Sequence, residues 1–209
     1  MKIRLHLASG NPHKAGEFQS LADEAGLPIE VLSATAVGGM PPVVEDTGTF
    51  EGNARKKARA LLRKLPAGAW ALADDSGLCV DALDGAPGVE SAYFAGPHAT
   101  GAENLARLVE AVREVPDGRR QAHFVCVLVL AGPEGREFVF QGRCDGRLRR
   151  TSAGAGGFGY DPLFIPDGYD RTFSELDGAT KNRLSHRGRA WAQLAAWLAS
   201  GQAAPGTLS

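Results

Sequence analysis

Alternation of apolar and polar positions predicts a series of strands along the chain. Ile3, Leu5 and Leu7 alternate with polar residues, which is typical of a half-buried strand. Further apolar segments predict five more strands, the last two as an antiparallel hairpin around a turn of glycine and proline: 29–32, 70–73, 78–82, 122–131 and 137–144. Polar loops rich in turn-forming residues separate these segments, so strand and loop are well distinguished by the pattern alone.

Apolar residues at helical spacing predict four helices between the strands. The first contains Phe18 and Leu21, and the second begins at an N-cap, Thr49, and runs to about Leu65. The third covers 105–112, and the last runs from about 182 to 199. This order of elements predicts a single α/β domain with a mixed sheet over residues 1–200, followed by a flexible tail at 201–209.

Composition excludes several classes of protein. The chain has 209 residues, of which 44% are hydrophobic and 22% are charged, so it has enough apolar material for a core and is not a disordered chain. No apolar run approaches the roughly 20 residues of a membrane helix, and the short N-terminal alternation does not predict a secretion signal. The formal net charge of −1 does not favour a nucleic-acid-coating surface. Three widely spaced cysteines fit neither a disulfide framework nor a zinc knuckle, so we expect a cytoplasmic protein.

A short polar loop follows the first predicted strand. In Ser9-Gly10-Asn11-Pro12-His13-Lys14, small residues allow close approach of a ligand, amides at a helix start face an anion, and Lys14 adds a positive charge. These are properties of a phosphate site, although the Walker pattern is absent from the sequence. An ordinary strand-to-helix turn with a solvated lysine is the alternative interpretation.

Two adjacent carboxylates form the second polar segment, Asp74-Asp75-Ser76-Gly77, which the pattern predicts as a loop between two strands. Bringing such carboxylates together between apolar strands requires a cation or protons, and Mg²⁺ with oxygen ligands is the natural choice. Glu45 and Asp46 lie in another loop and offer a further metal oxygen. A simple turn is the alternative, because Asp, Ser and Gly all favour turns.

A glycine-rich loop near residue 158 and a cluster of nitrogen donors near residue 186 complete the candidate chemistry. The loop matches G-x-G-x-x-G only formally, because Pro162 and the following apolar run do not begin a helix. Phe158 or Tyr160 is expected to stack on a base, or else to cover the core. Lys181, His186 and Arg187 do not share one helical face, so if all three touch one ligand, Lys181 is expected at or before the start of the last helix; a solvated helix face is the alternative.

The basic run Ala54-Arg55-Lys56-Lys57-Ala58-Arg59 lies within the second predicted helix. Its alanines, with Leu61 and Leu62, give that helix an apolar stripe. We therefore interpret its cations as a solvated helix face rather than as a grip on RNA.

Several motifs, taken in order, resemble the inosine/xanthosine triphosphate pyrophosphatase family over about residues 3–198. Each motif is weak alone, but their order and spacing make the resemblance specific. They are Ser9-Gly10-Asn11-x-x-Lys14, Glu45-Asp46-Thr47-Gly48-Thr49-Phe50 with Asn53-Ala54, Ala73-Asp74-Asp75-Ser76-Gly77-Leu78, Ala86-Pro87-Gly88 with Ser91-Ala92, Gly156-Gly157-Phe158-Gly159-Tyr160-Asp161-Pro162, and Ser185-His186-Arg187-Gly188.

The resemblance implies a homodimeric, Mg²⁺-dependent enzyme with an elongated α/β fold and a cleft between two lobes. It implies hydrolysis of deaminated purine nucleoside triphosphates (ITP, dITP and XTP) to the monophosphate and pyrophosphate, which cleans the nucleotide pool. Asp75 would be the catalytic carboxylate and a metal ligand, and Glu45 would complete the metal site, with Asp74 as an alternative or additional ligand. The residues expected to bind substrate are Ser9, Gly10, Asn11, Lys14, Ser76, Phe158, Gly159, Tyr160, Asp161, Lys181, His186 and Arg187.

Two alternatives stay open at this point. One is a related pyrophosphatase that acts on ordinary or modified nucleotides. The other is a nucleotide- or RNA-binding module without turnover, with the basic helix at 54–64 as its binding surface. The pair Asp74-Asp75 disfavours the second alternative, because two carboxylates would repel RNA and have no purpose without a metal.

Overall fold

The computed structural model describes residues 2–200 of the chain. In this part of the chain six strands form one sheet. They are β1 (Ile3–Leu7), β2 (Ile29–Ser33), β3 (Trp70–Val80), β4 (Gln121–Ala131), β5 (Glu137–Leu148) and β6 (Phe164–Pro166). Their order across the sheet is β2-β1-β3-β4-β5-β6.

Five α-helices occur in the same residues. They are α1 (Pro12–Glu24), α2 (Phe50–Leu62), α3 (Gly101–Ala111), α4 (Gly178–Leu184) and α5 (His186–Ala199). The predicted tail at 201–209 lies outside the described residues. None of the helices in residues 2–200 combines the length and the apolar character that crossing a bilayer requires.

Strand direction makes the sheet mixed. β1 runs parallel to both of its neighbours, with Leu7 opposite Ser33 of β2 and Leu72 of β3. β5 and β6 are antiparallel, with Leu148 opposite Phe164. β4 and β5 are neighbours joined by residues 132–136, which is too short for the crossover that a parallel pair needs. The predicted α/β class with a mixed sheet is confirmed.

The loop predicted at Asp74–Gly77 is wrong, because β3 continues through it from Trp70 to Val80. Both aspartates are buried within the strand. Turn-forming residue types predicted a break, but buried carboxylates can remain in a strand when cations from other elements neutralise them. Those cations are identified below.

The single helix predicted at 182–199 is also wrong, because the chain forms two helices that meet at Ser185. Ser185 ends α4 with extended backbone angles, φ −64° and ψ 152°, and α5 begins at the next residue. Serine side chains compete with the helical hydrogen bonds of the backbone, which favours serine at helix ends. Lys181 lies in α4, ahead of the helix that carries His186 and Arg187.

The chain divides into two compact units, and β3, β4 and β5 each contribute residues to both. The first unit comprises residues up to Asp75, Cys126–Gln141 and residues from Gly188 onward. Its core joins β1 and β3 to α1 and α5, and Phe18 packs against Trp191 with ring centroids 5.5 Å apart.

The second unit comprises Ser76–Val125 and Gly142–Arg187. Its core joins β3, β4 and β5 to α3, and Phe124 packs edge-on against Phe164 with ring centroids 4.8 Å apart. The earlier expectation of one domain made of two lobes stays a prediction. The three cysteines form no disulfide within residues 2–200, and Cys126 lies in the first core and Cys144 in the second.

Candidate active site

The loop after β1 in the first unit has the geometry of a helix start. The hydroxyl oxygen of Ser9 accepts a hydrogen bond from the Asn11 backbone amide at 3.1 Å. The side-chain oxygen of Asn11 accepts one from the His13 amide at 2.9 Å and so caps α1. The cap fixes the direction in which α1 leaves the sheet, and Lys14 lies in its first turn.

Lys14 forms an ion pair with the buried Asp74. Lys14 Nζ lies 3.0 Å from Asp74 Oδ2, and the Asp74 side chain is fully buried. The pairing of Leu7 with Leu72 brings the loop after β1 beside this part of β3. Asp74 Oδ1 accepts a weak hydrogen bond from the Cys126 thiol at 3.5 Å. Both carboxylate oxygens of Asp74 therefore have partners in the protein, and Lys14 supplies the neutralising charge.

A second lysine neutralises Asp75. Lys57 of α2 donates to Asp75 Oδ1 at 2.6 Å and to Glu45 Oε2 at 3.0 Å. The Lys57 side chain is only 12% exposed and the Asp75 side chain only 10%. The predicted proximity of Glu45 to Asp75 is thus present, with the Lys57 ammonium shared between the two carboxylates.

The electrostatic surroundings shift the pKa values of this pair. Burial raises the pKa of Asp75 to about 6, against the attraction of Lys57, and the Glu45 and Asp74 carboxylates add to the rise. Burial alone would lower the pKa of Lys57, but the carboxylates of Asp75, Glu45 and Asp74 raise it overall. Lys57 therefore stays charged at neutral pH, and the pKa of Asp75 lies close to the range that suits a general base.

Sequence reasoning missed Lys57, and the interpretation of the basic run as a solvated face is wrong for this residue. Lys57 follows Ala54 by three residues and precedes Leu61 by four, so it lies on the apolar face of α2 with these buried residues. The sequence did contain a signal for this residue: Lys57 occupies a position of α2 that faces the core, in a stripe that is otherwise apolar. A cation there requires a buried partner, which Asp75 provides.

The loop that carries Glu45 is anchored to the beginning of α2. Thr47 donates through its hydroxyl to the side-chain oxygen of Asn53 at 2.8 Å, and Asn53 is fully buried. Thr49 caps α2 by accepting from the Gly52 amide at 3.1 Å, which confirms the predicted helix start. These contacts hold the segment from Glu45 to Thr49 against the helix that carries Lys57.

The oxygen atoms of Asp75 and Glu45 fit a magnesium ion. Asp75 Oδ2 is buried and has no hydrogen-bond partner in the described part of the chain, so it is available as a ligand. Within residues 2–200, no three His, Cys, Asp or Glu side chains enclose a metal position by themselves. Mg²⁺ commonly takes one or two protein carboxylates and fills its remaining positions with water and substrate phosphates, which suits a pair of carboxylates.

In the second unit, Arg187 is held at the beginning of α5. Its guanidinium donates to the Ser76 hydroxyl at 2.9 Å, and Arg187 is only 2% exposed. Ser76 directly follows Asp75 in β3. Two residues that the resemblance assigned separately to substrate binding, Ser76 and Arg187, thus contact each other.

An exposed aromatic ring lies beside two cations in the same unit. Phe158 is 41% exposed, and its ring centroid lies 5.0 Å from Lys181 Nζ and 5.6 Å from the Arg187 guanidinium carbon. Asp161 Oδ2 accepts from the Phe158 amide at 2.8 Å and from Lys181 Nζ at 2.7 Å. A side chain at Gly157, where φ is +73°, would collide with this same Asp161 oxygen. Asp161 therefore organises the loop and fixes Lys181 beside the ring.

Two of the predicted substrate residues have their side chains in the core. Tyr160 is 5% exposed, and its hydroxyl donates to the Ser91 carbonyl at 2.9 Å. Burial raises the pKa of Tyr160. The His186 ring stacks on Phe124 with centroids 4.7 Å apart. Of the two rings expected to stack on a base or to cover the core, that of Tyr160 is buried and that of Phe158 is exposed, and Gly159 between them is partly buried with φ +61°.

Comparisons with known proteins cover almost the whole chain. The chain is 61% identical over 200 residues to the dITP/XTP pyrophosphatase of Opitutus terrae, covering 93% of this chain and 98% of that protein. It is 46% identical over 191 residues to the enzyme of the same name from Streptomyces coelicolor, covering 91% and 94%.

Solved structures agree with the sequence comparison. A HAM1 protein from Coxiella burnetii superimposes with a TM-score of 0.83 at 38% identity, covering 95% of this chain and 99% of that one. The Staphylococcus aureus Ham1 protein gives 0.81 at 33% identity, covering 94% and 98%. The family model of the Ham1 family matches residues 5–197. On both sequence and fold, the chain belongs to the Ham1 family.

Proposed function

We propose that this protein is a Mg²⁺-dependent pyrophosphatase of deaminated purine nucleoside triphosphates. Water hydrolyses the anhydride between the α- and β-phosphates of ITP, dITP or XTP, which yields the nucleoside monophosphate and pyrophosphate. The observation that carries the proposal is the buried Asp75 carboxylate, which Lys57 holds beside Glu45, with its raised pKa and one oxygen that has no hydrogen-bond partner among residues 2–200. The relatives named dITP/XTP pyrophosphatases support the same substrate class.

Residues of the first unit bind the triphosphate in this proposal. Ser9, Gly10 and Asn11 present the start of α1 to phosphate oxygens, and Lys14 adds a charge that its pairing with Asp74 holds in place. Lys57 supplies a second cation next to Asp75. A triphosphate carries several negative charges, so these cations offset the repulsion that the carboxylates alone would exert.

Asp75 acts as the general base in the proposed reaction. Its carboxylate accepts a proton from the attacking water, and Lys57 orients it through Oδ1. Glu45 and Asp75 would hold the magnesium ion, since Asp74 already uses both of its oxygens on Lys14 and Cys126. The bound ion would neutralise charge that develops on the phosphates.

Residues of the second unit recognise the base and complete the charge balance. Phe158 offers an exposed ring for stacking, and Lys181 and Arg187 place donors next to that ring. Hypoxanthine and xanthine carry a 6-oxo group where adenine carries an amine, so donors directed at this oxygen disfavour adenine. Ser76, Gly159, Asp161, Tyr160 and His186 shape this group of residues, the last two by packing in the core.

We further propose that the enzyme is a cytoplasmic homodimer that acts on free nucleotides and not on nucleic acid. The net charge of −1 supports the last point. So do the cations of α2, because Arg55, Lys57 and Arg59 all form ion pairs with carboxylates and do not make a free basic surface. An RNA-binding module based on this helix is therefore not favoured.

A pyrophosphate-release assay tests the function directly. With Mg²⁺ we expect turnover of ITP, dITP and XTP well above that of ATP, GTP and dUTP, and loss of turnover when EDTA removes the metal. Asp75→Asn should lower kcat by roughly 10²–10⁴-fold, since the amide cannot accept the proton. The matched control is Asp23→Asn, which changes an exposed aspartate of α1. Equal turnover of all purine triphosphates, or an active Asp75→Asn variant, would contradict the proposal.

A further inference from the structure

Helix α2 presents its cations on two different sides. Arg55 and Arg59 are four residues apart and lie on one side, and both contact Glu137 at the beginning of β5. Lys57 is midway between them in sequence, which at 100° per residue places it on the opposite side of the helix. That opposite side contacts Asp75 and Glu45.

Both arginines bind the carboxylate of Glu137. Arg59 Nε lies 2.6 Å from Glu137 Oε1, and Arg59 Nη2 lies 2.9 Å from Oε2, which is a bidentate pair. Arg55 forms a further ion pair with Oε2 of the same carboxylate. The Glu137 side chain is only 13% exposed. Its two arginines also lower the pKa of Glu137, Arg59 more than Arg55, so the carboxylate is ionised at neutral pH.

The contacts to Glu137 oppose rotation of α2 about its own axis. Rotation in either direction would carry both guanidinium groups away from the Glu137 carboxylate, because Arg55 and Arg59 leave the helix on the same side. Rolling of α2 would move the Lys57 ammonium, which lies at the end of a long side chain on the opposite side. Lys57 contacts Asp75 at 2.6 Å, so a small rotation is enough to break that contact.

We propose that Glu137 is a positioning residue, which fixes the rotation of α2 and thereby holds Lys57 against Asp75. This inference rests on the proposed function, because it assigns Lys57 and Asp75 to the reaction. Glu137 itself takes no part in the chemistry. It acts through Lys57, and its contribution therefore depends on the presence of Lys57.

A double-mutant cycle on kcat tests this dependence. In the wild-type background Glu137→Gln should lower kcat roughly tenfold and leave KM within about twofold, because a misplaced catalytic group slows the reacting step. In a Lys57→Met background the same substitution should have almost no further effect, since nothing remains to be positioned. Single-turnover measurements at high enzyme concentration keep the slow variants measurable.

The controls separate positioning from general loss of structure. Glu30→Gln removes the exposed partner of Arg4 in β1 and should leave kcat unchanged. Replacing both Arg55 and Arg59 by Gln breaks the same contacts from the helix side and should reproduce the kcat loss of Glu137→Gln. An unchanged kcat in Glu137→Gln, or an equal loss with and without Lys57, overturns the proposal.

A crystal structure of the Glu137→Gln variant tests whether Glu137 holds Lys57 against Asp75, and it requires no assay of turnover. Loss of the 2.6 Å contact between Lys57 and Asp75 would support the inference, and an unaltered contact would overturn it. An inactive wild-type protein would overturn the proposed function, and this crystallographic comparison would still decide the role of Glu137.

Discussion

At the scale of single residues, the pairing of each aspartate with its own lysine determines what the two adjacent carboxylates do. Asp74 is fully buried and paired with Lys14, whereas Asp75 retains a free oxygen beside its contact with Lys57. The sequence places the two aspartates side by side but does not show this difference, because their partners come from α1 and α2. The expected proximity of Glu45 to Asp75 is present, the pairing of Lys14 with Asp74 was not predicted, and Lys57 is the residue that sequence reasoning missed.

The pH dependence of activity follows from the raised pKa of Asp75. A carboxyl group accepts a proton only when it is ionised, so protonation of Asp75 below about pH 6 should remove activity. We expect kcat/KM to be nearly constant above that pH and to fall about tenfold per unit below it. Measuring kcat/KM for dITP over a series of pH values tests this fall, which is the acid limb of the pH profile. Because a bound Mg²⁺ favours the ionised carboxylate, this acid limb should move to lower pH as the Mg²⁺ concentration is raised, and a limb near pH 4 that does not respond to Mg²⁺ would show that burial does not act on Asp75 as described.

Replacement of Lys14 by methionine should affect both binding and stability. Loss of a charged donor to phosphate should raise KM roughly 10- to 100-fold. Loss of the cation beside the buried Asp74 should also lower the free energy of unfolding, by about 3 kcal/mol, because the carboxylate loses the Lys14 ammonium.

Two further variants separate these effects of Lys14. Adding Asp74→Asn to Lys14→Met removes the buried charge, so it should recover stability in urea unfolding but leave KM high. Lys2→Met serves as the control at an exposed lysine. Recovery of both properties by Asp74→Asn would mean that Lys14 does not bind phosphate.

At the scale of the elements, local signals predicted where segments begin better than where they continue. Thr49 predicted the start of α2, and it is the N-cap. The turn formers at 74–77 predicted a break in β3 that does not exist, because long-range ion pairs allow the strand to continue. The break at Ser185 was missed, since the apolar periodicity of the last segment continues through it. Capping is a local interaction, whereas neutralisation of buried charge depends on the tertiary structure.

The cap at Thr49 gives a prediction for helix stability. Thr49→Ala removes the acceptor of the Gly52 amide and should lower the free energy of unfolding by about 1 kcal/mol. Thr49→Ser keeps a hydroxyl at this position and should retain most of that stability. Urea unfolding of the two variants provides the measurement, and equal losses would show that the hydrogen bond contributes nothing.

At the scale of the whole molecule, the order of strands and helices predicted the α/β class, and the structure confirms it. The strand order β2-β1-β3-β4-β5-β6 was not predicted, because hydrophobic periodicity identifies a strand without identifying its neighbours. The division of the hydrophobic core between two units, each with its own cluster, was also not predicted from the pattern of apolar residues. Three of their boundaries fall inside β3, β4 and β5 and a fourth falls inside α5, where no linker composition marks them.

The placement of the cysteines provides each unit with an internal reporter. Cys126 is 0% exposed in the first core, Cys144 is 2% exposed in the second, and Cys79 is partly accessible with a pKa raised mainly by burial. A thiolate-specific alkylating reagent should therefore modify Cys79 slowly in native buffer and the other two only when their own core opens. Peptide mass spectrometry over a labelling time course would measure the rates at which Cys126 and Cys144 become modified. These rates report the opening of the two cores separately, without any introduced probe. Rapid native labelling of Cys126 or Cys144 would show that its core admits reagent without unfolding.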